Sequence, residues 1–263
     1  MNIQILISTI NQTDYSLLER MGVECDAVVV NQCGRDELRE FNYKEHHITW
    51  INMSKYGVGL SRSIALYFSR ADIVLFADDD VTYNIGYSSA VLSAFESLPK
   101  CDVICFNVNL INSNKNIGAN RRNNKIKKLH IWNSLRYGAC RIAARSKVLK
   151  RERLSFSLLF GGGAEFSSGE DSLFIADCHR RGLTLYSHPY ELGDVDDSVS
   201  SWYSGVSTKL LEDRGMIYRL IFPRIYFFVS LYYSIRHTHF CQFSLLQRLS
   251  CYLRGARKAR LYR

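Results

Sequence analysis

Ala71-Asp72-Ile73-Val74-Leu75-Phe76-Ala77-Asp78-Asp79-Asp80 decides the fold. An apolar run of this length between polar residues reads as a core strand of an α/β sheet. Ligands of open α/β sheets bind outside the carboxyl ends of the strands. Three adjacent carboxylates at such an end repel one another unless a cation sits among them. A hard divalent ion, Mg²⁺ or Mn²⁺, suits oxygen ligands of this kind and commonly bridges to phosphate oxygens. The stretch therefore points to a metal-dependent site for a phosphorylated ligand. A solvated acidic turn is the plainer reading of the same residues.

Outward from this strand, the pattern alternates strand and helix. Ile3–Thr9, Ala27–Val30 and His47–Ile51 read as strands one to three. Gly59 opens an amphipathic helix to about Ser69, and Tyr87–Leu98 is a helix stopped at Pro99. Asp102–Val108 is a further strand, 112–128 a polar surface loop, and Arg141–Leu149 a strand entering a helix. Cys101 and Cys105, four apart, are expected on one face of their strand. Gly169-Glu170-Asp171 starts a helix ending at Gly182, and Leu183–Ser187 is a last short strand. Such alternation implies a mostly parallel sheet flanked by helices.

The chain has 263 residues, 47% hydrophobic, enough for one α/β domain and an appendage. Its eight cysteines include no CxxC pair. They are expected to be reduced, and zinc spacing is absent. Met1–Ser8 has neither a basic region nor a long apolar core and reads as a first strand rather than a signal peptide. The net charge of +9 is uneven: residues 214–263 hold ten Lys/Arg and no Asp/Glu, among many Tyr and Phe. That composition suits an anionic membrane surface. The uninterrupted apolar part, Ile225–Ile235, is far below the roughly 20 residues of a membrane span, so an interfacial position is expected.

The second chemical feature is Gly169-Glu170-Asp171, about 90 residues beyond the aspartates. Acidic side chains here are explained locally by capping of a helix dipole. With the aspartate triplet, and with an α/β pattern between, they say more. The chain resembles family 2 glycosyltransferases of the GT-A fold. The matching segments are "ILIST" at 5–9, "GVGLSRSIAL" at 57–66, "IVLFADDDV" at 73–81, "FGGGAEFSSGEDSLFIADCHRRG" at 160–182 and "HPYELGDVDDSVSSWYSG" at 188–205. The fit runs over roughly residues 1–205, taken as the catalytic domain, with 206–263 as a basic, aromatic, helical membrane-associating region.

The resemblance implies roles. Asp78 and Asp80 fall on the family's DxD motif and would contact ribose, metal and diphosphate, with Asp80 as the direct metal ligand; Asp79 beside them is structural or donor-facing. Asp171 falls on the general base of inverting members, and Glu170 would bond the acceptor or hold the loop. Ser8, Thr9 and Ile10 match the end of the first strand, where the base sits. Asn31 and Gln32 stand where an acidic residue often meets uracil or ribose. Gly59, Leu60 and Arg62 match the segment near base and diphosphate; a helix start with an exposed arginine explains them equally. Gly161, Gly162 and Gly163 would underlie the donor sugar or acceptor. His188 would be a third metal ligand, or a strand-end histidine bonded to backbone. Trp202 would stack on an acceptor sugar or pack in the core.

The activity implied is inverting, Mn²⁺- or Mg²⁺-dependent transfer from a nucleotide sugar, a UDP-sugar, to a lipid-linked or lipopolysaccharide-type acceptor. The expected location is cytoplasmic and peripheral, on the inner face of the cell membrane, and truncation after Gly215 is expected to preserve the donor site. A metal-dependent nucleotidyl- or phosphotransferase competes, but lacks a phosphate-cradling Gly-Lys-Ser/Thr loop. A nucleic-acid-binding protein using the tail competes too, but has no recognisable RNA-binding motif.

Overall fold

A computed structural model describes residues 1–111, 122–196, 207–236 and 242–259. In chain order the strands are β1 (Ile3–Ile10), β2 (Asp26–Gln32), β3 (Glu37–Tyr43), β4 (His46–Met53), β5 (Ile73–Asp78), β6 (Val81–Tyr83), β7 (Val103–Ile111), β8 (Lys127–Lys128), β9 (Ile142–Arg145) and β10 (Leu185–Asp196). The helices are α1 (Leu17–Arg20), α2 (Val58–Phe68), α3 (Tyr87–Ser97), α4 (Ile131–Ser134), α5 (Ser146–Arg151), α6 (Glu170–Arg180), α7 (Thr208–Ile221), α8 (Tyr226–Arg236) and α9 (Leu245–Lys258). The sheet order is β3-β4-β2-β1-β5-β9-β7-β10-β6, with β8 against β10. β4, β2, β1 and β5 are parallel neighbours, and β7 pairs parallel with β10. Antiparallel β9 joins the two groups, so six strands run one way.

The run 73–77 is apolar without alternation because both of its faces are covered. Ile73, Leu75 and Ala77 enter one core cluster, and Val74 and Phe76 the other. Phe76 meets Phe156 and Phe174 edge-on, at 5.0 and 5.6 Å between ring centroids. The parallel registers place Ser8 beside Asp78, and Thr9 and Ile10 beside Asn31 and Gln32. The carboxyl ends of β1, β2 and β5 therefore share one edge.

Several expectations needed correction. β3, not foreseen, is an edge strand paired antiparallel to β4; its charged Glu37, Arg39 and Glu40 hide the apolar alternation. The last strand is not short. It runs through His188-Pro189 to Asp196, with register shifts on either side of Glu191. Cys101 precedes β7 instead of lying in it, so it and Cys105 enter opposite core clusters. Residues 112–121 of the expected loop lie outside the described residues.

The C-terminal helices pack on the sheet domain. Met216, Ile217, Ile221 and Phe222 of the α7 region share a core cluster with Phe160, Phe166, Leu173 and Ala176. α7 and α9 cross at contact distance. A Cβ on Gly215 would stand 2.0 Å from the Tyr252 carbonyl oxygen, and one on Gly255 1.8 Å from that of Glu212. Among the described residues, no helix is long and apolar enough to cross a membrane.

Candidate active site

Helix α2 carries Arg62 inward, leaving it 4% exposed, where an unpaired charge would be costly. It is paired threefold. Its Nη2 donates to Asp78 Oδ1 at 2.7 Å, and its Nη1 to Glu170 Oε1 at 3.0 Å and Asp171 Oδ1 at 2.9 Å. The cation that the aspartate triplet requires is thus supplied in part by the chain itself. Burial acts against the guanidinium charge, but Asp78, Asp171 and Glu170 outweigh it and hold the group above its usual range. Phe156 lies beneath the guanidinium, 5.3 Å from carbon to ring centroid.

Asp79 accepts from Thr9 Oγ1 at 2.5 Å, and Gln12 Nε2 donates to the same hydroxyl at 2.9 Å. The Asp80 carbonyl accepts from the Asp196 backbone N–H at 3.1 Å. Together these residues wall a cleft of about 730 Å³. Its lining includes Ser8, Thr9, Ile10, Gln12 and Gln32, the acids Asp78, Asp79, Asp80 and Asp196, and Gly162, Ser167, Ser168 and Glu170.

Asp171 stands at the start of α6, where the helix dipole favours its charge. Desolvation outweighs this: burial, with Glu170 adding to it, pushes the carboxyl up to about 8, against the pull of Arg62. Glu170, not Asp171, lines the cleft itself, although the Asp171 side chain is the more exposed, at 24% against 12%.

The structure separates other expected site residues from the cleft. Asn31 is fully buried; its side-chain oxygen accepts from the Gln12 N–H, and its amide donates to Gln12 O and Asn52 Oδ1. It anchors the turn after β1. Gln32 reaches the cleft and accepts from Gly57 N at 2.7 Å. Gly59 is needed for packing, since a Cβ there would meet the Ser157 carbonyl oxygen at 2.0 Å, and Leu60 packs on the core. Of the three glycines only Gly162 lines the cleft; Gly161 faces Val58 and Glu170, and Gly163 lies away from it at φ 78°. His188 lies outside the cleft. Its ring rests near Phe106, at 5.4 Å, and its Nδ1 accepts from Tyr190 N at 3.2 Å, the backbone-bonded alternative. Trp202 lies outside the described residues.

Gln12, Ser167, Ser168 and Asp196 were not singled out from the sequence. The serines and Asp196 stand inside the motif-bearing segments; nothing marked Gln12. Among the described residues, no three His, Cys, Asp or Glu side chains converge as a ready-made metal site. Asp80 and Asp196 are carboxylate-bearing residues that both line the cleft. That suits a Mg²⁺-like ion, which is usually held by one or two carboxylates and completed by substrate phosphates.

The profile of the family described as "Glycosyl transferase family 2" matches residues 7–155, more than half the chain. The chain belongs to glycosyl transferase family 2. None of the curated proteins compared matches it. Among solved structures, this family 2 chain is similar to S. aureus TarS. Against TarS 1–349 in complex with UDP, identity is 18% and the TM-score 0.60, over 84% of this chain and 64% of that one. Against the complex with UDP-GlcNAc, the values are 16% and 0.60, over 84% and 66%. A further TarS 1–349 structure matches over 100% of this chain and 92% of its own, at 12% identity and TM-score 0.63. The match spans slightly less than two thirds of the first two TarS chains. The likeness establishes the fold, which is the GT-A arrangement expected from the sequence.

Proposed function

We propose that the chain transfers a sugar from a UDP-sugar to a hydroxyl of a lipid-linked or polysaccharide acceptor, with inversion, at the inner face of the cell membrane. The observation that carries this reading is Arg62. It gathers Asp78, Glu170 and Asp171, residues far apart in sequence, at the carboxyl edge of β1 and β5. The TarS complexes with UDP and UDP-GlcNAc favour a uridine nucleotide as donor.

In this reading Ser8, Thr9, Ile10 and Gln32 seat the nucleoside end. Asp80 and Asp196 would hold Mg²⁺ or Mn²⁺ against the diphosphate. The bound ion supplies charge neutralisation for the departing UDP. Asp171, once ionised, accepts the proton of an acceptor hydroxyl brought to it beside the donor cleft that Glu170 lines, as that oxygen bonds to the anomeric carbon and the bond from that carbon to the diphosphate oxygen breaks. A carboxyl raised toward neutrality suits a general base, whose best pKa lies near the working pH. Arg62 fixes the relative positions of Asp78 and the Glu170–Asp171 pair.

The test is a screen of nucleotide sugars with Mn²⁺ or Mg²⁺, read first by thermal shift and then by release of UDP coupled to sugar transfer. Asp80→Ala should abolish metal-dependent donor binding and leave the fold intact. Unchanged UDP-sugar affinity in that variant rules out the metal assignment. A phosphoryl or nucleotidyl product rules out the reaction.

A further inference from the structure

Helix α8 buries Val229, Ser230 and Ser234. On its other side Phe228, Tyr232 and Ile235 are 68%, 53% and 56% exposed. With Ile225, exposed just ahead of the helix, they recur every three or four residues and share one face. At about 100° per residue, Arg224 and Arg236, both exposed, fall on the two flanks of that stripe. Trp132 extends it. It is 63% exposed and lies flat on Phe222, with ring centroids 4.4 Å apart and planes at 9°. The Phe222 carbonyl accepts from Ile225 N at 3.2 Å, so the tryptophan adjoins the start of the stripe.

Single exposed apolar residues are ordinary; a continuous row of them marks an interaction surface. The charges indicate what it meets. Residues 214–263 contain no acidic side chain. The two acidic groups just ahead of them are both engaged: Asp213 by Lys209 at 3.2 Å, and Glu212 by Arg254 at 2.9 Å and Lys258 at 2.6 Å. A second copy is a poor occupant, because a two-fold contact would set Arg224 and Arg236 against the same residues. Aromatic rings flanked by arginine suit the headgroup layer of an anionic bilayer.

We propose that Ile225, Phe228, Tyr232 and Ile235, with Trp132 beside them and Arg224 and Arg236 at their flanks, form the face that docks on anionic lipid. This deepens, and rests on, the reading of a membrane-located transferase. It also adds Trp132, a residue of the sheet domain, to a surface otherwise supplied by the tail. α4, which carries Trp132, leads into Leu135, whose carbonyl accepts from Ser172 Oγ at 3.1 Å. The docking face is therefore tied to the helix that begins with Glu170 and Asp171, and it holds the cleft in a fixed attitude to the bilayer.

The experiment is partition of the full chain onto vesicles of phosphatidylcholine, alone or mixed with phosphatidylglycerol. The mixed vesicles should bind and the neutral ones should not. Phe228→Ser with Tyr232→Ser should weaken partition by about tenfold or more. Arg224→Gln and Arg236→Gln should weaken it by about fivefold each. Trp132→Phe should remove a vesicle-induced blue shift in fluorescence. All variants should keep the thermal shift produced by UDP. Unchanged partition in the Phe228/Tyr232 variant, or in both arginine variants, overturns the proposal, as does equal binding to neutral vesicles. So does a dimer that the Phe228/Tyr232 variant dissociates without touching vesicle binding. A chain that binds mixed vesicles through these residues but no nucleotide sugar overturns the transfer reading and leaves the docking face standing.

Discussion

Arg62 serves three carboxylates with one planar group, and that geometry is specific to arginine. A lysine ammonium is a compact point charge and cannot present the same fork. Arg62→Lys should therefore restore part of the charge but lose the bridge between Asp78 and the Glu170–Asp171 pair. Arg62→Met leaves all three acids without it, and breaking a buried pair in this way costs about 3–5 kcal/mol. Thermal melts should rank wild type above Arg62→Lys and Arg62→Met lowest; a methionine variant as stable as wild type would mean the acids never depended on the arginine. Asp171 adds a pH signature. Its folded-state pKa is raised to about 8 from an ordinary 3.8, so the native protein holds a proton there that the unfolded chain releases. Stability from this group is fully present below about 4 and is lost as pH climbs toward 8. Asp171→Asn cannot lose that proton. Its melting temperature relative to wild type should rise between pH 5 and pH 8, while transfer falls by roughly 10²-fold or more with donor binding kept. A melting difference independent of pH would show that Asp171 is not shifted upward. Near-normal turnover would return it to helix capping.

Elements hold these residues in place, and the contact of α7 with the Ser167–Asp171 segment is the tightest case. Asp213, 4% exposed, accepts from Ser167 N at 3.1 Å and Ser167 Oγ at 3.0 Å. Two residues on, Gly169 adopts φ 115°, and a Cβ there would stand 2.1 Å from Ile217 Cδ1. Gly169→Ala therefore meets two separate obstacles, a backbone conformation that L-residues rarely adopt and a steric clash. Adding Ile217→Ala removes the second and leaves the first. The double variant should lose less stability and activity than the two single changes summed; strict additivity would show that the contact is not limiting. The same elements show what the sequence could disclose. β1, β2 and β5 were legible because double-sided burial writes a continuous apolar run. The edge strand β3 was not, because its charges and one-sided cover resemble a loop. The aspartates and Gly-Glu-Asp were recognisable as motifs, but their meeting on Arg62 was not. Those contacts span 16, 108 and 109 residues of chain, and no local pattern encodes such a closure. His188, for which the resemblance left a metal-ligand role and a backbone bond open, is carried by β10 to Phe106, outside the cleft, and its Nδ1 accepts from Tyr190 N.

Across the whole molecule, the basic tail proves less uniform than its composition suggests. Arg254 and Lys258 are engaged with Glu212, Arg219 sits 4.2 Å above the Tyr226 ring, and Arg248 is buried, donating to the Ser234 carbonyl. Several of the ten cations thus have partners inside the helical unit; Arg248 is buried there, while Arg254 and Lys258 remain exposed. That unit in turn covers apolar surface of the sheet domain. This changes what truncation after Gly215 should do. The cut falls inside α7 and removes Met216, Ile217, Ile221 and Phe222, which pack on Phe160, Phe166 and Leu173. Trimming one such buried side chain to alanine commonly costs about 2–5 kcal/mol. A whole domain is stable by only about 5–15 kcal/mol, so losing four at once is enough to release the segment they cover. That segment includes Ser167, Ser168 and Glu170, one wall of the cleft. A chain ending at Gly215 should therefore melt at lower temperature and show a weakened UDP-dependent thermal shift, even though residues 1–196 retain every strand of the sheet. Ile217→Ala in the full chain should move both readouts in the same direction by a smaller amount. If the shortened chain keeps the full UDP shift, the helices serve attachment alone, and the cleft wall is held by the sheet domain without them.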